Sequence, residues 1–262
     1  MANTTCYRPV TGILIAFEGL DGSGVSTHSR LLASRLSRVL RAPVIYEKEP
    51  TYGPLGYLVW LGIRYPIDEG LRDPRILALL FAADRLWHLY YERLPGGVRG
   101  VIEALLQGYV VVMDRYKYSS IAYQSAAGAD MEWVVALNNY APPAHVLVYL
   151  DAPVEVAARR LSERSETHLY EDRVMLERVS EAYRRLLRRL EEEPEYPPPR
   201  ANQYWRHIVP AVDKLYPSST SYPVVIRVRV DDSKPASEVG SEIASRIIRV
   251  LCDSRLLLEE PC

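Results

Sequence analysis

Gly19-Leu20-Asp21-Gly22-Ser23-Gly24-Val25-Ser26-Thr27 is the stretch on which the reading of the chain turns. It matches the phosphate-binding pattern G-x-x-x-x-G-K-[ST] everywhere except that valine stands where lysine is required. The flanks suit the motif. Ile13-Leu14-Ile15-Ala16-Phe17 is a short apolar run of the kind that forms a buried strand, and Ser26 to Leu40 carries Leu31, Leu32, Leu36 and Leu40 at helical spacing. Gly19, Gly22 and Gly24 allow the backbone to curl, so that successive N–H groups converge on an anion at the positive end of the helix dipole. None of this needs a lysine. Ser26 retains the hydroxyl that holds magnesium in such loops, whereas Val25 has no ammonium to bridge the β- and γ-phosphates during transfer. The spacing thus supports phosphate binding more firmly than phosphoryl transfer.

Outward from the loop, strand and helix patterns alternate. Pro43 to Glu47 reads as a second strand, and Asp73-Pro74 opens a long helix with aspartate at the N-cap and proline at the first helical position. Val98 to Gln107 is a shorter helix stopped by Gly108, leading into the strand Tyr109–Met113. His145 to Leu150 and Pro223 to Val230 are further strands, with helices expected over Pro153–Leu161, Arg173–Leu190 and Ala236–Leu251. The proline of the first of these is expected at its first helical position. Such alternation argues for a parallel sheet with helices on both faces and ligands at the carboxyl ends of the strands. Glu191 to Tyr222 breaks the rhythm with prolines at 194, 197, 198, 199, 210 and 217, and reads as an ordered excursion anchored by Tyr204, Trp205 and Ile208.

The 262 residues suffice for one large domain, the organisation expected here for 1–262. A formal charge of −1 with interspersed acids and bases gives no general surface for nucleic acid or membrane. No apolar run approaches a membrane span, and Met1 to Val10 is too polar for a signal peptide, so a cytoplasmic protein is expected. Cys6, Cys252 and Cys262 lie far apart without a Cys-x-x-Cys pair, so reduced thiols are expected rather than zinc or a disulfide framework.

At the end of the third strand stands Asp114-Arg115-Tyr116. An acid and an arginine leaving a buried strand at the ligand edge suit a cleft where Asp114 orients magnesium and Arg115 grips a phosphate bidentately, unless the two simply pair with each other. Together with Phe17-Glu18-Gly19-Leu20-Asp21-Gly22-Ser23-Gly24, Glu49-Pro50, Leu80-Phe81-Ala82-Ala83-Asp84-Arg85 and Ala122-Tyr123-Gln124, this order resembles the thymidylate kinases. The resemblance covers roughly residues 12 to 190 and resumes at the last strand and helix. It implies a P-loop NTPase fold, a three-layer α/β/α arrangement around a five-stranded parallel sheet, and a homodimer.

The resemblance also implies roles. Gly19, Leu20, Asp21, Gly22, Ser23, Gly24, Val25, Ser26 and Thr27 would bind the phosphates of ATP, with Ser26 and Asp114 on Mg²⁺. Phe81 would stack on thymine and Arg85 reach a base carbonyl, roles that suit their side chains, although Phe81 and Tyr123 taken alone also read as core. Ser119 and Gln124 would lie by the base, Tyr123 near the sugar, and Asp21 on the deoxyribose 3′-hydroxyl. Arg115, with Lys48 in place of the usual arginine, would hold the monophosphate of dTMP. A lid of about 159–172 would supply the catalytic arginine, Arg160 or Arg164, because Gly22 and Ser23 leave none in the loop. Two readings follow. The first is Mg²⁺-dependent phosphorylation of dTMP by ATP, favoured by the retained Asp21, Ser26, Phe81, Arg85, Asp114 and Arg115. The second, favoured by Val25, is a nucleotide binder that has lost transfer.

Overall fold

The structure, a computed structural model, describes residues 5–65, 69–163, 169, 172–194, 215–216 and 221–261. Its centre is the parallel sheet that the apolar runs require. β2 (Ile13–Gly19), β3 (Val44–Lys48), β4 (Val110–Asp114), β5 (Val146–Asp151) and β6 (Val224–Arg229) form it in the order β3-β4-β2-β5-β6. β2 and β4 are buried throughout, as strands covered on both faces must be. In register, Phe17 and Lys48 both stand opposite Asp114. The carboxyl ends of three strands therefore meet where the phosphate loop begins.

Helices α1 (Val25–Val39), α2 (Pro54–Arg64), α3 (Pro74–Tyr90), α4 (Gly100–Leu106), α5 (Lys117–Ala126), α6 (Met131–Leu137), α7 (Val154–Ser162), α8 (Arg173–Glu192) and α9 (Ala236–Asp253) surround the sheet. Asp73 caps α3 as expected, its carboxylate accepting from the Arg75 amide. Pro153, expected inside the first turn of α7, is instead its N-cap, one residue earlier than the proline pattern suggested. α2, α5 and α6 were not expected. α2 has only a proline start and a short apolar pattern, and α5 runs through polar motif residues whose burial comes from tertiary packing.

The chain ends also pair. β1 (Thr5–Pro9) and β7 (Leu257–Pro261) make a two-stranded antiparallel sheet. Cys6, in β1, is disulfide-bonded, which corrects the expectation of reduced thiols; Cys252 is the free cysteine among the described residues. Cysteine spacing gave no sign of it, because a disulfide depends on a tertiary contact rather than on local sequence. Disulfides are characteristic of oxidising compartments but also of intracellular proteins of hyperthermophiles. Among the described residues no helix is long and apolar enough to cross a membrane.

Most of the excursion, including Tyr204, Trp205 and Ile208, lies outside the described residues. Its far end is anchored through Tyr216, whose ring stacks on that of His145 with centroids 4.5 Å apart and whose hydroxyl donates to the Pro143 carbonyl at 2.7 Å.

Candidate active site

A cavity of about 190 Å³ opens at the carboxyl ends of β2, β3 and β4. Its wall brings together Asp21, Gly24, Val25, Ser26, Thr27, Lys48, Phe81, Arg85, Arg115, Ser119, Tyr123 and Gln124, residues from four separate segments of sequence.

The phosphate loop curls as its glycines permit. Gly22 (φ 83°) and Gly24 (φ 92°) are left-handed, and a Cβ on Gly22 would stand 2.5 Å from the Ala157 carbonyl oxygen of α7. Ser23 closes a turn by donating its amide to the Leu20 carbonyl at 3.0 Å. Val25 is the first residue of α1 and is 4% exposed, packed into the core while its edge lines the cavity. An apolar side chain at this position prefers the underside of the loop to the phosphates.

Arg115 is the hub. Its backbone is left-handed (φ 70°), a strain of order 1–3 kcal/mol that non-glycine residues bear chiefly at functional sites. The conformation swings the guanidinium back over the loop. Nη1 donates to the Gly19 carbonyl at 3.0 Å and to Ser119 Oγ at 2.9 Å, and Nη2 donates to Asp21 Oδ1 at 2.6 Å. Tyr123 presents its ring 5.2 Å from the guanidinium carbon and its hydroxyl accepts from the Asp21 amide at 2.9 Å. Arg115 and Asp114 do not pair with each other here: Arg115 takes Asp21, and Asp114 takes Tyr46 and Lys48.

Asp114 is 1% exposed. Tyr46 donates its hydroxyl to Oδ2 at 2.7 Å, and Lys48 Nζ stands 3.7 Å from the same oxygen. Oδ1 has no hydrogen-bond partner among the described residues. Gln124, which lines the cavity, is fully buried, yet neither its amide oxygen nor its nitrogen has a partner among the described residues, and the same holds for Ser120 Oγ. Orphaned buried polar groups cost about 1–3 kcal/mol each, so an unpaired donor and acceptor on a cavity wall point to a ligand edge. Arg85, 1% exposed, is fixed by Glu49 through Nε (2.8 Å) and Nη2 (2.7 Å) and by the Asn138 side-chain oxygen through Nη1.

Arg160 meets the loop at its backbone, Nη1 donating to the Gly22 carbonyl at 3.2 Å and Nη2 pairing with Asp232 at 3.0 Å. Residues 159–162 belong to α7, whereas Arg164, Tyr170 and Glu171, assigned with them to a lid, lie outside the described residues.

Several partners of these residues carry no role that the motifs assign. Glu18 is fully buried; its Oε1 accepts from the Tyr116 amide at 2.9 Å, and its Oε2 accepts from Tyr183 at 2.8 Å and from Ser119. Burial pushes its carboxyl up to about 7 against the opposing pull of Arg115 and of the hydrogen bonds from Ser119, Tyr183 and Tyr116. A lone acid in an apolar strand is a signal that sequence offers; Tyr183 and Asn138, on distant helices, give none.

A family model described as thymidylate kinase matches residues 17–195. The chain belongs to the thymidylate kinase family. Several relatives carry provisional thymidylate kinase names. That of Aeropyrum pernix is 48% identical over 178 residues, covering 67% of this chain and 78% of its own length. That of Pyrobaculum calidifontis is 32% identical over 243 residues, 93% of this chain and all of its own. That of Pyrobaculum aerophilum is 33% identical over 237 residues, covering 90% and 97%. Family membership makes the chain a phosphotransferase.

Proposed function

We propose that the protein transfers the γ-phosphoryl group of ATP to dTMP. A phosphate oxygen of dTMP attacks the γ-phosphorus, the bond to the β–γ bridging oxygen breaks, and dTDP and ADP form. The observation that carries this reading is the buried Gln124 amide, without a partner among the described residues, lining the same cavity as Phe81 and Arg85. An acceptor and a donor side by side suit the N3–H and carbonyl edge of thymine, Phe81 suits its face, and Arg85 supplies donors to a carbonyl. Tyr123 and Asp21 line the path to the sugar, and Arg115 stands between this wall and the loop, where a monophosphate would lie.

The acceptor is already an anion, so positioning and charge neutralisation supply most of the acceleration and no strong base is needed. The loop amides hold the donor phosphates. Arg115, Lys48 and Arg160 are the cations near them, each already oriented by a carboxylate. Magnesium fits the donor set: Asp114 offers a buried oxygen without a partner among the described residues, near a cavity lined by Ser26, in keeping with a cation that takes one or two protein oxygens and fills its shell from phosphates and water. Ser26 and Asp114 would hold it, and it would neutralise charge on the donor phosphates.

An ADP-release assay with ATP, Mg²⁺ and a panel of nucleoside monophosphates, run beside calorimetric titration of dTMP, is the test. Turnover selective for dTMP is expected. Binding of dTMP without turnover would overturn transfer, and turnover preferring a purine monophosphate would overturn the assignment of the Gln124 wall.

The assembly proposed is a homodimer. Ile76, Leu79 and Leu86 on α3 are exposed apolar residues at helical spacing, a stripe that a second copy would cover. Leu79→Glu is expected to halve the mass seen by analytical ultracentrifugation; a monomeric parent protein would sink this part.

A further inference from the structure

Below the cavity, α3 carries a titratable group that the proposed reaction does not use. His88 is 0% exposed and ringed by carboxylates. Its Nδ1 stands 3.3 Å from Glu49 Oε1, and its Nε2 lies 3.5 Å from Glu47 Oε2 and 3.9 Å from Glu92 Oε2. Asp84, one turn earlier, also acts on the ring electrostatically, although its own carboxylate is occupied by the Thr51 amide at 2.8 Å and hydroxyl at 2.6 Å. Glu49 is the pivot. One oxygen faces His88 and the other takes both Nε and Nη2 of Arg85. With Nη1 on Asn138, three of the five guanidinium N–H groups are committed, and Arg85 still lines the cavity, so its remaining donors are available to a ligand carbonyl there.

We propose that His88 is a positioning residue for base recognition: through Glu49 it fixes the guanidinium of Arg85, and thereby sets both dTMP affinity and the preference for a 4-carbonyl over a 4-amino pyrimidine. This rests on the reading of the cavity as a dTMP site. The geometry requires a cation at position 88. Glu47, Glu49 and Glu92 converge on one buried ring, and without a positive charge between them they would repel and release Glu49 from its orientation. Burial works against that charge, but the close contacts with Glu47 and Glu49 and the charges of Glu49 and Glu92 outweigh it and raise the imidazole to about 10. A guanidinium is donor-only, so its discrimination between a carbonyl and an amino group depends on being held still.

The test uses the full chain with His88→Leu, compared with the parent in steady-state kinetics for dTMP, dCMP and ATP from pH 6 to 10.5. At neutral pH the variant should raise KM for dTMP about tenfold and lower dTMP-over-dCMP selectivity by a similar factor, with kcat and KM for ATP within about twofold. A group whose folded pKa is raised loses its contribution as pH climbs through that value. Ionisation of the thymine N3–H raises KM for dTMP near pH 10 in both proteins; the parent's rise should be the steeper, and the variant's should show the substrate's limb alone. Should His88→Leu fail to fold, Glu49→Gln breaks the same link from the other side and carries the same expectations. Unchanged dTMP KM and selectivity, or a parallel loss in kcat and both KM values, overturns the proposal. A parent that neither binds nor turns over dTMP overturns the cavity reading instead; in a parent that binds dTMP without turnover, the calorimetric Kd values for dTMP and dCMP take the place of KM, with the same expectations.

Discussion

Arg115→Ala is expected to lower kcat/KM for dTMP by about 10²–10³-fold, on the order of 3–4 kcal/mol, the usual loss when one preorganised charge donor is removed from a transferring group. Its effect on ATP should be much smaller. The guanidinium touches the loop only through the Gly19 carbonyl and Asp21, whereas its position beside Ser119 and Tyr123 places it on the acceptor side of the cavity. Removing it relieves the contact that holds Asp21, so a modest rise in KM for ATP is compatible with the role. Arg115→Lys should recover part of the loss, because it restores charge without the planar fork that spans Gly19, Ser119 and Asp21 at once. Calorimetry with dTMP and with ATP separates the outcomes. Equal losses for the two nucleotides would sink the assignment.

Much of this hub was legible in the sequence, and the reason is physical. Phosphate binding by backbone curls demands glycines at fixed spacing, and an acid followed by an arginine at the end of an apolar strand is too costly to leave unexplained. Those constraints act over a few residues, so they appear as motifs. The five-strand alternation was legible likewise, because strands buried on both faces read as continuous apolar runs. What depends on contact between distant segments was not legible. The pairing of β1 with β7 and the clamp of Glu18 by Tyr183 join residues far apart in the chain, and neither they nor the Cys6 disulfide leave a local pattern. α5 escaped because Lys117 to Gln124 are all buried, with Ser119, Ser120 and Gln124 on the cavity and Tyr118, Ile121 and Ala122 in the core, so no polar and apolar period marks the helix. The aspartate read as a sugar ligand, Asp21, is first of all the partner of Arg115, a pairing that no spacing rule reveals.

Val25→Lys is expected to raise kcat by about 10²-fold, by returning a mobile ammonium to the place from which phosphate loops neutralise the group in flight. The loop can accept it. Its glycines already hold left-handed backbone, Ser26 follows in register, and Val25 sits where a lysine stem can lie along the loop's underside while its head reaches into the cavity that Val25 already lines. A cost in stability is expected as well, since Val25 is packed at 4% exposure and the longer side chain must vacate part of that core contact. Val25→Met separates the two effects: it perturbs packing without adding charge, and should lower stability while leaving kcat near the parent value. The cations now close to the loop are each engaged elsewhere, Arg160 with Asp232, Lys48 beside Asp114 and Arg115 with Asp21, which is why a charge free to follow the transferring phosphoryl group should add so much. If turnover and ATP affinity both stay unchanged in Val25→Lys, the lysine-deficit argument fails and one of these three already does that work; Lys48→Met and Arg160→Met would then show which, by the larger fall in kcat at saturating dTMP and ATP.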